Sequence, residues 1–427
     1  MPDETLREPT WVGRVERTDA TEIAVDARFG AARLLVTMPD GAPLGQVTVP
    51  LRAGRAGAAD VRAAIDARFG SAAAPAAPSS VEPITVVVAT RGRPDSIGRC
   101  VRSILGSDHP AVTVLVVDND PEDELTRHAV EAIADERVRY VREARRGASA
   151  GRNRGLAEAR TRLVAFTDDD TEVDSSWARR MAGAFAANPD LVCVSGPVLA
   201  ASLGSDEERA ADAALGWNKG FVSRTFSLAD PPPDSAIFPF SPGLFGIGAN
   251  LAVRADVARV SGGFDEALGP GSATRSGEDC EFLVRLVLAG HVLGYEPSAY
   301  VWHHHRPDSA ALREQVEGYA IGLAGFLTKV ALSPRGRAAA IRRIPAAVRQ
   351  LGRIADREAG AGDAMPSGAG RTRLRGMLAG PYVYLRARRK ARRAGGRVPP
   401  LVAAQDQGGS DQDGPRGGQA RPAIALR

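Results

Sequence analysis

Residues 163–170 read Leu-Val-Ala-Phe-Thr-Asp-Asp-Asp, a short apolar run that ends in three consecutive carboxylates. The apolar part has the length and character of a buried strand. A strand cannot bury such a cluster uncompensated, because each unpaired charge costs several kcal/mol or changes protonation state. The three acids must therefore stand at the strand's end. In an open α/β sheet the carboxyl ends of parallel strands face the crevice where ligands bind. Hard cations such as Mg²⁺ and Mn²⁺ take carboxylate oxygens and share them with substrate phosphates. Taken alone, Asp-Asp-Asp is a solvated acidic turn; as part of a crevice it becomes a metal–diphosphate site.

The neighbouring segments supply the crevice. Residues 84–89 form a continuous apolar strand of the kind buried on both faces, followed by the polar turn Thr90-Arg91-Gly92-Arg93-Pro94. A helix is expected over 95–105, with Ile97, Val101, Ile104 and Leu105 on one face. A second apolar strand, 112–117, ends in Asp118-Asn119-Asp120-Pro121; a helix over 122–134 and a strand over 138–141 follow. The basic, glycine-bearing stretch 145–155 then leads into another helix. Strand–helix alternation predicts a mostly parallel sheet with covering helices. Polar residues at the ends of three successive strands indicate one shared crevice.

The order Val-Val-Val-Ala-Thr-Arg (86–91), Val-Val-Asp-Asn (116–119), Arg-Asn-Arg-Gly (152–155) and Phe-Thr-Asp-Asp-Asp (166–170) resembles the inverting family 2 glycosyltransferases. The second half extends the likeness through Gly-Ala-Asn (248–250), Gly-Gly-Phe-Asp-Glu (262–266) and Gly-Glu-Asp-Cys-Glu-Phe (277–282). The resemblance spans about residues 84–306. It implies a GT-A (Rossmann-like) α/β fold: a mostly parallel sheet flanked by helices. Around it are expected a small N-terminal β-rich domain (1–70), a linker (71–83), a basic helical C-terminal extension (307–400) and a disordered tail (401–427). One departure is Gly151, where the family more often has Ala, a change expected to matter little.

The resemblance implies sugar transfer from a nucleotide-diphosphate sugar to a hydroxyl acceptor, with a divalent cation, Mn²⁺ or Mg²⁺, offsetting charge on the leaving diphosphate. Asp168 would face ribose or sugar and Asp170 would hold metal, while Asp169 touches the donor sugar or is merely solvated. Thr90, Arg91 and Asp118 would line the nucleotide pocket and Arg152 approach base or diphosphate. Asn250, Glu278 and Trp302 fall on the acceptor side. Asp279 would be the general base, with Glu278 orienting the acceptor; as an isolated pair these two acids would simply suit a helix N-terminus. Some relatives complete the metal shell with a histidine some two dozen residues past the base, which points to His303 and then His305. Without that resemblance, His303-His304-His305 is a polar run.

Outside the matched region the sequence says less. The 427 residues, 44% apolar and 25% charged, describe a soluble globular protein. No apolar run is long enough to cross a membrane, and the first residues lack a signal peptide's pattern, so a cytoplasmic protein is expected. Cys100, Cys193 and Cys280 are too scattered for a zinc site or a disulfide framework. Residues 1–70 alternate strand-like runs with turns before a helix near 60–69. Residues 204–244 hold Trp217, Phe221 and three consecutive prolines, either an acceptor-side flap or a surface loop.

The net charge of +4 hides an asymmetry: residues 329–397 carry 18 Lys or Arg against three acids, leaving the remainder at −11. Basic amphipathic segments, expected over 335–353 and 374–393, suit an anionic membrane surface at the inner face of the plasma membrane. A solvated helical face is the alternative, and no nucleic acid is expected. Two rival functions are a sugar-phosphate nucleotidyltransferase, whose glycine-rich phosphate loop the 90–94 turn fits poorly, and a non-catalytic membrane scaffold.

Overall fold

A computed structural model describes residues 8–241, 243–305, 309–343, 345, 346 and 369–401. The expected tail past residue 401, and residues 344 and 347–353 of the helix expected over 335–353, lie outside these residues. In chain order, β1 (Thr10–Glu16), β2 (Ile23–Ala24), β3 (Ala31–Thr37), β4 (Pro43–Pro50), β5 (Arg55–Ala56) and α1 (Ala58–Phe69) come first. β3 pairs parallel with β1 and antiparallel with β4. Their small core is Val15, Leu34, Val36, Val47 and Val49, closed by Val61 and Ile65 of α1. β1 is a strand that the alternation of hydrophobic residues did not reveal. No helix or strand is assigned between Phe69 and Ile84.

The large sheet starts with β6 (Ile84–Thr90), α2 (Pro94–Leu105), β7 (Val112–Asn119), α3 (Leu125–Glu131), β8 (Val138–Glu143), α4 (Ala148–Glu158) and β9 (Leu163–Asp168). β10 (Thr171–Val173), α5 (Trp177–Ala187), β11 (Leu191–Ser195), β12 (Val198–Ala200), α6 (Asp206–Leu215) and β13 (Arg224–Phe226) follow. Next come β14 (Asn250–Arg254), α7 (Ala255–Val260), α8 (Glu278–Leu288), β15 (Val292–Tyr295) and β16 (Val301–His303). The eight-stranded order is β13-β15-β11-β14-β9-β6-β7-β8. β9, β6, β7 and β8 run parallel, whereas β14 is antiparallel to both β9 and β11, and β13 to β15. The sheet is thus mixed: four of its seven pairings are parallel, fewer than the first-half alternation implied.

Register brings the polar strand ends level. Ala89 pairs with Asp168 and Thr90 with Asp118, so one residue beyond each apolar run the chain emerges at a common rim. Above and below, the two faces of β6 enter different cores: Val86 and Val88 pack with α2 and α5, Val87 with Phe166, Leu156 and α8. α4 lies very close to the sheet. A Cβ on Gly155 would meet Val87 Cγ1 at 2.2 Å, and one on Gly151 would meet Ala89 Cβ at 2.9 Å. Gly151 therefore matters here, contrary to expectation, because β6 carries a side chain where α4 needs room.

Among the described residues the C-terminal extension holds α9 (Ser309–Leu332), α10 (Pro334–Ile341) and α11 (Ala369–Arg393). α9 and α11 meet α8 through a buried charge cluster. Lys329 Nζ lies 2.7 Å from Asp265 and 2.9 Å from Glu281. Arg285 donates to Glu281 at 2.8 Å, and Tyr384 donates to Asp265 at 3.2 Å. Burial opposes the charge on Glu281, but Arg285 and Lys329 together hold its carboxyl below the ordinary range. Removing the shared cation would leave buried Asp265 without a counter-ion and Glu281 with Arg285 alone. Lys329→Met should therefore cost about 3–5 kcal/mol of stability, read by urea denaturation of the full chain, with Lys329→Arg the milder change.

Candidate active site

Two guanidiniums organise the rim. Arg152, inside α4, is buried; its Nη2 donates to Asp168 at 2.8 Å and its Nη1 to Glu278 at 2.7 Å. Arg93, just before α2, donates to Asp169 at 2.8 Å and to Asp170 at 3.1 Å. Thr90 Oγ1 donates to the other Asp169 oxygen at 2.6 Å. The end of β9 is thereby tied to β6, to α2, and across the crevice to the start of α8.

Burial shapes the protonation of these acids. Asp169 is buried, and with Asp170 beside it its carboxyl is pushed up to about 6 against the pull of Arg93. Glu278 is buried and adjacent to Asp279, which together push it up to about 7 despite its bond to Arg152. Asp279, half-buried, is fixed by backbone donors: Gly248 N–H reaches Oδ2 at 2.9 Å and Cys280 N–H reaches Oδ1 at 2.7 Å. Tyr319 of α9 faces the same acids, its phenol raised first by burial and then by Asp279, Glu278 and Asp168. Burial also raises Asp118, which accepts from Tyr140 Oη at 2.7 Å while its Oδ1 is buried without a hydrogen-bond partner.

The histidines divide. His303 Nε2 is 3.2 Å from Asp170 Oδ1, and its Nδ1, like His305 Nε2, is buried without a hydrogen-bond partner. The two rings lie 5.3 Å apart, and Trp217 packs on both, at 4.6 Å and 5.5 Å. Burial and His303 push His305 down to about 4. His304 turns the other way, to Glu172. Carboxylate oxygen suits Mn²⁺ or Mg²⁺ and imidazole nitrogen is a common metal ligand, so Asp170 and His303 are of donor types that fit a cation. Among the described residues no three His, Cys, Asp or Glu side chains gather closely enough to hold one unaided.

Other expected residues lie elsewhere. Arg91 is half-exposed and pairs with Asp120 and Glu122, away from the three acids. Asn250 is fully buried: it donates to Pro197 O and Ala299 O, both at 2.8 Å, and accepts from Trp177 Nε1 at 2.8 Å. All its polar capacity toward neighbours goes into the scaffold, so it does not present itself to an acceptor. Trp302 points to the opposite side of β16 from His303 and packs with Tyr300, Leu199 and Leu35 against the N-terminal sheet. Arg93 was visible only as a member of the 90–94 turn, and nothing in the sequence said that it would reach two acids beyond β9. Trp217 stood out as an aromatic in an insertion, without any sign of its histidine partners.

The model for Glycosyl transferase family 2 matches residues 85–241. These residues are a family 2 glycosyltransferase domain. Among curated relatives, a "Pre-mycofactocin glycosyltransferase" of Mycobacterium tuberculosis is 29% identical over 246 residues, 57% of this chain and 47% of that protein. The "Succinoglycan biosynthesis protein ExoO" of Rhizobium meliloti is 31% identical over 240 residues, 54% of this chain and 63% of that protein. The match thus spans about half to two-thirds of these relatives. A solved structure, the mannosyltransferase PcManGT from Pyrobaculum calidifontis in complex with GDP-Man and Mn²⁺, aligns with 75% of this chain and 92% of that one, at TM-score 0.46 and 18% identity.

The matched glycosyltransferase segment supplies β6 to α4, β9 and Arg152, whereas Glu278 and Asp279 come from beyond it. The Arg152–Glu278 contact that joins them has a pH signature. A carboxyl raised in the folded state contributes stability that is full below its unfolded pKa, near 4.5, and lost as pH rises through about 7. The parent should therefore lose on the order of 2–3 kcal/mol relative to Glu278→Gln between pH 5 and pH 8. Paired urea denaturations at the two pH values measure this, and parallel curves for both proteins would count against a raised Glu278.

Proposed function

We propose that the chain is an inverting, metal-assisted glycosyltransferase that moves a sugar from a nucleotide-diphosphate sugar to a hydroxyl of a glycan or lipid-linked cell-envelope acceptor. The observation that carries this is the Arg152 bridge, which sets the acids ending β9 and the acid pair opening α8 on one crevice. The name of the Rhizobium relative, a succinoglycan biosynthesis protein, supports a polysaccharide acceptor.

Asp118, with one buried oxygen lacking a partner, and Thr90 would receive the nucleoside, with Arg91 at the pocket's outer edge. Asp168 and Asp169 would meet ribose and donor sugar. Among the described residues five carboxylates (Asp168, Asp169, Asp170, Glu278 and Asp279) face the guanidiniums of Arg93 and Arg152, so a diphosphate arriving at this rim would gain from a further counter-charge. Asp170 and His303 would hold the divalent cation, with His305 behind them and diphosphate oxygens as further ligands. That cation, when bound, supplies Lewis-acid stabilisation of the departing diphosphate.

The two acids of α8 divide the remaining work. Glu278 is buried and bound to Arg152, so it positions; Asp279 is half-buried, held by two backbone N–H groups, and its carboxylate retains lone pairs for an incoming hydroxyl. Asp279 would take the acceptor's proton as that oxygen attacks the anomeric carbon opposite the diphosphate, the geometry that inverts configuration.

The deciding experiment is a panel of nucleotide sugars assayed for hydrolysis and transfer with Mn²⁺, Mg²⁺ and chelator. Turnover that survives chelation unchanged would remove the metal. Asp279→Asn should bind donor as the parent does in calorimetry while transfer falls about 10²–10⁴-fold. Parental transfer in the folded variant would move the base elsewhere. Arg93→Ala, which removes the guanidinium that bridges Asp169 and Asp170, should weaken donor binding while leaving the fold intact by circular dichroism.

A further inference from the structure

The face of α11 turned away from the protein carries a pattern that the crevice does not use. α11 packs on α9 through small residues: a Cβ on Gly376 would meet Ala320 Cβ at 2.8 Å, and one on Gly380 would meet Ala324 Cβ at 2.3 Å. Tyr384 and Ala387, one and two turns further on, are buried. Gly376, Gly380, Tyr384 and Ala387 thus mark the inward stripe. At about 100° per residue, the opposite stripe begins with Leu374, Leu378 and Tyr382, which are 61%, 74% and 69% exposed. It continues into Arg386, Arg389, Lys390 and Arg393, which with Tyr382 and Leu385 line an open groove. The whole helix carries nine Arg or Lys and no acid.

We propose that this stripe docks α11 flat on an anionic lipid surface. Leu374, Leu378 and Tyr382 enter the boundary between headgroups and acyl chains, and the basic turns that follow pair with lipid phosphates. The two halves of the stripe favour lipid over nucleic acid. A phosphate backbone would accept the cations but would leave three exposed apolar side chains in water. No described helix is long and apolar enough to cross a membrane, so the contact is a surface one.

Docking would also orient the crevice. α9, beneath α11, carries the Gly318 carbonyl that accepts from Ser276 Oγ at 3.0 Å, in the turn just before Glu278. Docking itself does not depend on the proposed reaction.

The test uses the full chain and no sugar donor. Vesicles of phosphatidylglycerol and phosphatidylcholine should co-sediment the protein at low salt, phosphatidylcholine alone should not, and added salt should release it. Leu374→Glu/Leu378→Glu should weaken binding at least about tenfold, and Arg389→Gln/Lys390→Gln should weaken it and flatten the salt dependence. Leu378→Trp gives a gain of signal: the emission it adds to that of the parent's four tryptophans, taken as the difference spectrum, should be solvent-like in buffer and be quenched by brominated acyl chains. Failure of the parent to bind anionic vesicles would overturn the proposal. So would undiminished binding by the glutamate variant, or a Leu378→Trp emission already shifted to the blue in buffer. Self-association that the glutamate variant abolishes would assign the stripe to a second copy instead.

Discussion

A buried guanidinium on α4 is the contact on which the candidate site depends. Arg152 is enclosed, and its charge is tolerable only because Asp168 and Glu278 each accept a hydrogen bond from it. The three groups come from different parts of the chain, so the bridge also fixes where the end of β9 stands relative to the start of α8. Phe264 lies under the guanidinium, its ring centroid 5.6 Å away. The same cation separates Asp168 from the Glu278–Asp279 pair, which would otherwise repel across the crevice. Arg93 does the like for Asp169 and Asp170. The five acids can thus share one rim, with the partial protonation of Asp169 and Glu278 relieving what the two arginines do not.

Flanking segments brace this rim from two sides. Arg14 of β1 reaches Asp174 and Tyr300, and Arg33 of β3 reaches Asp212 on α6. The N-terminal sheet therefore grips β16, whose last residue is His303, and the segment that brings Trp217 onto the imidazoles. On the other side the Lys329 cluster links α9 and α11 to Glu281 and Arg285, one and two turns into α8. The first acid of the Glu-Asp-x-Glu pattern thus faces the crevice and the last faces the extension, so a single helix carries both contacts.

What was legible in the sequence was whatever a local pattern could express. β6, β7 and β9 are continuous apolar runs with polar ends, and their register follows from that pattern. α8 was legible because Glu278 and Asp279 stand directly before an apolar stripe. Partnerships between distant segments were not. Arg93 meets Asp169 and Asp170 across 76 and 77 residues, and Arg152 meets Glu278 across 126. No spacing rule reaches so far. Asn250 and Trp302 show the converse: residues that belong to familiar-looking segments, yet whose side chains the tertiary structure directs into scaffold and interface. Gly151 is a similar case, since its need for glycine arises from Ala89 on another element.

The placement of β14 affects how the molecule comes to exist. Residues 250–254 sit between β9 and β11, antiparallel to both, although β9 and β11 are separated in the chain only by β10 and α5. The centre of the sheet thus has a slot that later sequence must fill. During synthesis the segment up to β13 leaves the ribosome with β9 and β11 each offering an unpaired edge to solvent. Such edges are templates for pairing with other chains, and non-local closure of this kind is slow. Nascent chains of this protein therefore carry open strand edges until residues 250–254 and, for the other edge of β11, residues 292–295 have emerged, the interval in which a translational pause or a chaperone contact would guard against mispairing.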